Sequence, residues 1–206
     1  SCRRTFHSLT SMATAVELSP RAKTHLPGEA GVWAFIIGDM LIFALLFLVF
    51  AYYRAQDVSL FSKSQTTLNQ TLGAFNTLVM LSSSWFVALA INSARKDLGK
   101  LSANFFAMAF ACGVSFVVVK YFEYGEKFRA GTNIVTNDFY MYYFMLTGIH
   151  LMHVIIGMGV LAFLWSKSRA GVFGDKNVNV LESGASFWHM VDILWIVLFA
   201  LLYLMR

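Results

Sequence analysis

Six ionisable side chains stand inside apolar runs of this chain. Asp39 lies within Phe35-Ile-Ile-Gly-Asp-Met-Leu-Ile-Phe43. His150 and His153 lie within Phe144-Met-Leu-Thr-Gly-Ile-His-Leu-Met-His-Val-Ile-Ile-Gly-Met-Gly159. His189 and Asp192 lie within Phe187-Trp-His-Met-Val-Asp-Ile-Leu-Trp195, and Glu123 sits in Phe122-Glu-Tyr124. Each run belongs to a stretch long enough to cross a bilayer. Hydrocarbon penalises such groups by roughly 2.5–3.5 kcal/mol at a helix centre, and more on some scales. They should therefore face protein rather than lipid.

Their spacing limits their chemistry. His150 and His153 are three apart and share a helix face. That pairing permits a metal or haem ligand, a proton or lipid-head site, or structural hydrogen bonding. No cysteine lies nearby and no second His-x-x-His occurs. His189 and Asp192 repeat the spacing, as do Glu123 and Glu126. Carboxylates and imidazoles can satisfy one another when buried. Glu123, His150, His153, His189 and Asp192 could thus form one polar interior. Depth argues against a single cluster, because His189 and Asp192 fall toward the other half of their span. Asp39 reads either as a neutral acid bonded to a neighbouring helix or as a functional carboxyl near a proton route or lipid site.

Five spans must position these groups. A spanning helix needs about 20 mostly apolar residues. The qualifying stretches are 31–53, 72–94, 103–124, 139–166 and 184–205, joined by polar links at 54–71, 95–102, 125–138 and 167–183. Of the 206 residues 58% are hydrophobic and 13% charged, against about 25% charged in soluble domains. The expected fold is all-α: an integral membrane bundle of five transmembrane helices (31–206) behind a polar N-terminal tail (1–30). Residues 1–11 resemble a transit peptide only faintly, and Met12 is an equally good start. Small residues (Ser82, Ser83, Ser84, Ala88, Ser93; Gly148, Gly157, Gly159) should let spans approach closely. Tyr52, Tyr53, Tyr140, Tyr142, Tyr143 and Tyr203 should form an interfacial belt with Trp33 and Trp165. Cys112 reads as a small buried hydrophobe.

Basic residues set the orientation. Arg3, Arg4, Arg21, Lys23, Arg95, Lys96, Lys100, Lys167, Arg169 and Lys176 fall on one side; Arg54, Lys63, Lys127, Arg129 and Arg206 fall on the other, with Lys120 near the end of the third span. The positive-inside rule predicts a cytoplasmic N-terminus and an external C-terminus. The net charge of +5 therefore reports topology, and nucleic acid is not an expected partner. A chain with three intramembrane histidines and no Cys-x-x-Cys-His, P-loop or Rossmann glycine pattern is not expected to carry redox chemistry itself. A small transporter or proton channel is a further reading, opposed by the lack of internal repeats.

The order of motifs resembles subunit III of the haem-copper oxidase superfamily, from about His25 to Arg206. The resemblance rests on Gly31-Val-Trp-Ala-Phe-Ile-Ile-Gly-Asp-Met40, Phe75-Asn-Thr-Leu-Val-Met-Leu-Ser-Ser-Ser84, Phe122-Glu-Tyr124, Thr147-Gly-Ile-His-Leu-Met-His-Val-Ile-Ile-Gly157 and Trp188-His-Met-Val-Asp-Ile-Leu-Trp195. It implies a non-catalytic multi-pass subunit in a bacterial inner membrane, packed on a catalytic subunit I that holds haem and copper. It implies no cofactor in this chain except structural phospholipid. Long members have seven helices, two set apart by a lipid-filled cleft; this chain is similar to the short five-helix form. That form also occurs in quinol oxidases and beside nitric oxide reductases, and the opening His25-Leu-Pro-Gly-Glu-Ala-Gly-Val-Trp33 resembles the latter. The family's first-span acid is usually Glu; here Asp39 holds it one methylene back. By resemblance, Asp39, Glu123, His150, His153, His189 and Asp192 are the lipid- or proton-related positions.

Overall fold

A computed structural model describes residues 30–170 and 175–205. Among them the elements are α1 (Ala30–Gln56), α2 (Val58–Gln65), α3 (Gln70–Arg95), α4 (Gly99–Arg129), α5 (Asp138–Arg169) and α6 (Asp175–Phe199), the last running into a π-helical turn, Ala200–Leu204. Five of the helices are long and apolar enough to span a membrane. Helices are the natural answer to a lipid solvent, because each satisfies its own backbone groups. The tail before Ala30, with Cys2 and the His25–Glu29 part of the opening motif, lies outside the described residues, as do Gly171–Gly174 and Arg206.

Local signals place the ends. Asn69 caps α3 by accepting from the amides of Thr71 and Leu72 at 3.1 and 3.3 Å. Asn137 caps α5 by accepting from the Tyr140 amide at 3.0 Å. An exposed N-cap of this kind contributes about 1 kcal/mol. At the end of α4, Gly131 takes φ +76, and Thr132 N–H returns to Lys127 O at 3.0 Å. That closure needs the left-handed conformation a glycine adopts without strain.

Helices α3, α4, α5 and α6 pack as a bundle, with α1 leaning on α6 and α5 from the side. The outward face of α1 (Leu41, Ile42, Leu45, Leu48) is exposed; in a bilayer this face meets lipid or a partner rather than water. The link 54–71 is more than a polar connector. It folds as α2, which buries Phe61 against Phe50 and Phe139 and covers one end of the bundle. Phe61, Ser64 and Gln65 form its buried face, and Leu68 just past its end is buried as well.

Asp57 caps α2, accepting from the Leu60 amide at 3.1 Å and the Ser59 hydroxyl at 2.9 Å. These bonds, the Leu60 amide first, hold its carboxyl below the usual value of 3.8. A depressed folded-state pKa means the cap's contribution is present above the unfolded value and lost as pH falls through the folded one. Fraying of α2 is therefore expected only below about pH 4. Asp57→Asn should remove that acid dependence in limited proteolysis of the 57–69 segment; unchanged acid sensitivity would assign it to another group.

Close approach falls at particular small residues. A Cβ at Gly157 would lie 2.7 Å from the Trp188 ring, and one at Gly73 would lie 2.9 Å from Phe199. Gly148 and Gly159 meet nothing within 4 Å, so of the three glycines expected to pack in this span only Gly157 does. Ser83 and Ser84 face inward and make interhelical bonds, whereas Ser82 returns to its own backbone at Leu78 O. The tyrosine belt is also corrected. Tyr52 and Tyr53 are exposed, but Tyr143 and Tyr203 are fully buried and Tyr140 and Tyr142 nearly so. Their position near span ends suited a belt; the hydroxyls of Tyr143 and Tyr203 are instead drawn to buried Glu123 on α4, and that of Tyr140 to Thr67.

The π-helical turn is held from three elements. Gln65 Nε2 donates to Leu201 O at 3.1 Å, Gln70 Nε2 to Tyr203 O at 2.6 Å, and Arg54 Nη2 to Met205 O at 2.9 Å. Backbone carbonyls left over by the widened turn thus find side-chain donors.

Candidate functional site: a divided polar interior

The six residues do not form one cluster. They separate into three groups and one isolated ring.

The first group surrounds Glu123 on α4, near the end covered by α2. Lys120 Nζ donates to Glu123 Oε2 at 2.8 Å and to the Tyr203 hydroxyl at 2.9 Å. Tyr143 donates to Glu123 Oε1 at 2.9 Å, and Tyr203 donates to the same oxygen. The ammonium also lies over three aromatic rings, 4.6 Å from the Trp195 centroid, 5.3 Å from Tyr203 and 5.7 Å from Tyr143. Lys120 and Glu123 are each 2% exposed or less. A buried ion pair is tolerable only when its remaining donors and acceptors are filled, and here α4, α5 and α6 all contribute. Beside it the Tyr124 hydroxyl meets Thr147 Oγ1 at 2.6 Å. At the rim Lys127 donates to Thr67 O, and Thr67 Oγ1 meets the Tyr140 hydroxyl. Sequence reading missed Lys120, Tyr143 and Tyr203. The available signal was a lysine three before a glutamate in Val117-Val-Val-Lys-Tyr-Phe-Glu123, a pair on one helix face within an apolar run.

The second group joins α1 to α5. His153 Nε2 lies 3.2 Å from Asp39 Oδ1, with both side chains about nine-tenths buried. His153 Nδ1 lies 2.9 Å from Ile149 O. A carbonyl only accepts, so Nδ1 carries a hydrogen. Nε2 then either accepts from a neutral Asp39 or donates to its carboxylate. Asp39 Oδ2 has no protein partner, and Phe43 packs edge-on against His153. Asp39 lies nine residues into α1, about 14 Å from its start.

An apolar cleft of about 540 Å³ opens one turn away, between α1, α5 and α6. Val32, Phe35, Ile156, Val160 and Phe187 line it. Phe35 precedes Asp39 by one turn and Ile156 follows His153 by one turn, so cleft and pair share a seam.

The third group lies between α3 and α6. His189 Nδ1 meets Ser84 Oγ at 2.6 Å. Asp192 is 4% exposed, and its Oδ1 has no protein partner. Glu123 does not reach these residues: its partners are Lys120, Tyr143 and Tyr203.

His150 stands alone. Its ring is fully buried between Phe116 and Trp195, with centroids at 5.8 and 5.3 Å. Neither nitrogen has a protein partner. Glu123 meets α5 at Tyr143, two turns before His150, and not at His150 itself. Among the described residues no three His, Cys, Asp or Glu side chains come together in a way that could hold a metal ion.

The profile of the family described as "Cytochrome c oxidase subunit III" matches residues 25–206. Among similar proteins, cytochrome c oxidase subunit 3 of Synechocystis is 28% identical over 207 residues, covering 94% of this chain and 88% of that protein. Cytochrome c oxidase subunit 3 of Thermostichus vulcanus is 27% identical over 176 residues, covering 85% and 86%. Cytochrome bo(3) ubiquinol oxidase subunit 3 of Buchnera aphidicola is 28% identical over 179 residues, covering 84% of each. With a match across nearly all the described helices, the chain belongs to the cytochrome c oxidase subunit III family.

Proposed function

We propose that this chain is the non-catalytic subunit III of a haem-copper respiratory oxidase, packed in a bacterial inner membrane against the catalytic subunit that holds haem and copper. The observation that carries this reading is the family match over residues 25–206. The three similar proteins named above are subunits of oxidases, two with cytochrome c oxidase and one with ubiquinol oxidase in the name; this favours oxygen over nitric oxide as the acceptor. The side of α1 turned away from the bundle is apolar and exposed, which suits contact with lipid and with a larger subunit. The excess of basic residues on the N-terminal side supports a cytoplasmic N-terminus.

The chain's own contribution is support. The apolar cleft takes an acyl chain of a structural phospholipid, and the Asp39–His153 pair beside it is a proton-holding site at mid-depth. Glu123, with Lys120, fastens the other end of the bundle.

The test is purification of the tagged chain in mild detergent, with an absorbance spectrum and mass spectrometry of what accompanies it. Haem bands with an oxygen-reducing catalytic chain are expected. A nitric oxide reductase catalytic chain would transfer the reading to denitrification, and a colourless solitary protein would overturn it. In the purified complex, Asp39→Ala or His153→Ala is expected to reduce bound phospholipid or sustained turnover while leaving the haem spectrum intact. Loss of haem in either variant would contradict a supporting role.

A further inference from the structure

Helices α3 and α6 are joined by polar side chains at three levels. At one end Arg95 Nη2 meets Glu182 Oε1 at 2.7 Å, with Arg95 largely exposed. Toward the other end Trp195 Nε1 donates to Thr77 Oγ1 at 3.1 Å, and the indole is fully buried. Between them Ser84 Oγ meets His189 Nδ1 at 2.6 Å. The first bond lies at a helix end and the second is sealed inside the bundle. The third has neither setting. The His189 side chain is only partly buried, yet His189 lies seven residues along α6 from Glu182, and Ser84 lies eleven along α3 from Arg95. At 1.5 Å per residue that is about 10–16 Å inside the charged pair.

The open atom of this ring is Nε2. Ser84 occupies Nδ1, on the other edge of the imidazole. Among the described residues Nε2 has no hydrogen-bond partner, and unlike both nitrogens of His150 it is not enclosed. It is therefore reachable from outside the bundle, at a depth where lipid tails offer neither a donor nor an acceptor. Asp192, one turn along α6, interacts with the same Ser84 hydroxyl, is 4% exposed and leaves Oδ1 unpartnered. Polar side chains at such depth face protein rather than hydrocarbon, and hydroxyls, amides and imidazoles there bond from helix to helix.

The surrounding surface suits a helix. Leu81 and Ala88, one turn to either side of Ser84, and Ile193 and Ile196, one and two turns beyond His189, are all exposed. They frame the imidazole with an apolar rim, and the small side chains of Ser84 and Ala88 let another backbone come close. Helix α1 leans on α6 from the α5 side and leaves this flank uncovered.

We propose that a transmembrane helix of the catalytic subunit docks along α3 and α6 at His189, with a hydroxyl or amide side chain hydrogen-bonded to Nε2. Either group both donates and accepts, so it serves either tautomer of the ring. The inference rests on the oxidase-subunit reading and adds the face and the atom through which the partner is met.

Photocrosslinking in the assembled membrane complex tests it. Ile193→p-benzoylphenylalanine puts the probe beside His189. Val114→p-benzoylphenylalanine is the control, half-exposed in the middle of α4 on the far side of the bundle. The Ile193 probe should label the haem-bearing chain several-fold more than the Val114 probe. Equal labelling, or an Ile193 probe that labels only lipid or a second copy of this chain, would overturn the docking face. His189→Phe should raise about threefold the fraction of this chain lost from the haem-bearing chain in a stringent detergent wash, the effect of one interhelical hydrogen bond. His189→Gln, which keeps a hydrogen-bonding group, should restore retention. A loss in His189→Phe no greater than in the unmodified chain would remove the bond at Nε2. If the unmodified chain purifies without any haem-bearing chain, the subunit reading itself fails and takes this inference with it.

Discussion

Glu123→Ala will lower the stability of the bundle by about 3–5 kcal/mol, the usual cost of stranding one member of a buried ion pair. The loss follows from three donors aimed at one carboxylate: the Lys120 ammonium and the Tyr143 and Tyr203 hydroxyls. Removing the acceptor leaves a cation inside an aromatic cage with only Tyr203 as a polar partner. Lys120→Met strands the carboxylate in the same way. The double variant, Lys120→Met with Glu123→Leu, should recover much of either loss, because replacing both members of a buried pair by apolar groups is often near neutral. Unfolding of the purified complex by heat or by a denaturing detergent measures all three. Additive losses in the double variant would show that the pair is not an energetic unit.

Trp188→Ala should cost about 3–5 kcal/mol by creating a large cavity in a close-packed core. Trp188 is a junction: its ring lies against Gly113 of α4 and Gly157 of α5, and its Nε1 donates to Ser83 of α3 at 3.2 Å. Ser83 in turn donates to Ala109 O at 2.9 Å, tying α3 to α4. One side chain of α6 therefore touches every other helix of the central bundle. Gly157→Ala attacks the same contact from the other side and should cost about 1–3 kcal/mol by overpacking. The two changes share a contact, so Gly157→Ala should cost much less once Trp188 is Ala. A full Gly157→Ala penalty in that background would place the clash elsewhere.

Sequence alone carried the five spans because apolar runs of bilayer length are a strong signal. The short helix α2 was missed because eight residues with three serines, a lysine and a glutamine resemble a connector; Phe61 becomes informative only once its contacts with Phe50 and Phe139 are seen. Asp39, His150, His153, His189, Asp192 and Glu123 stood out because their types are costly in lipid, and all six face protein to some degree. Their partners were not legible. Spacing along one helix says which side chains share a face, but not which neighbouring helix meets that face. The Asp39–His153 contact joins residues far apart in sequence, and Glu123 found tyrosines instead of histidines. Tyrosine misled because one side chain serves both an interfacial belt and a buried hydrogen bond, and only the rotation of the helix decides between them.

The anchoring of the Ala200–Leu204 turn bears on how the chain is made. Arg54 finds its acceptor, Met205 O, 151 residues later, and the partners of Gln65 and Gln70 lie 136 and 133 residues later. During synthesis the first span enters the membrane with its guanidinium lacking this partner, and the α2 cap has nothing to close on. Glu123 likewise waits for Tyr203, 80 residues downstream. One end of the bundle therefore stays open until the fifth span is inserted, and the buried ion pair is sealed last. The sequence separation of these partners means that the polar interior can be completed only once the fifth span is present.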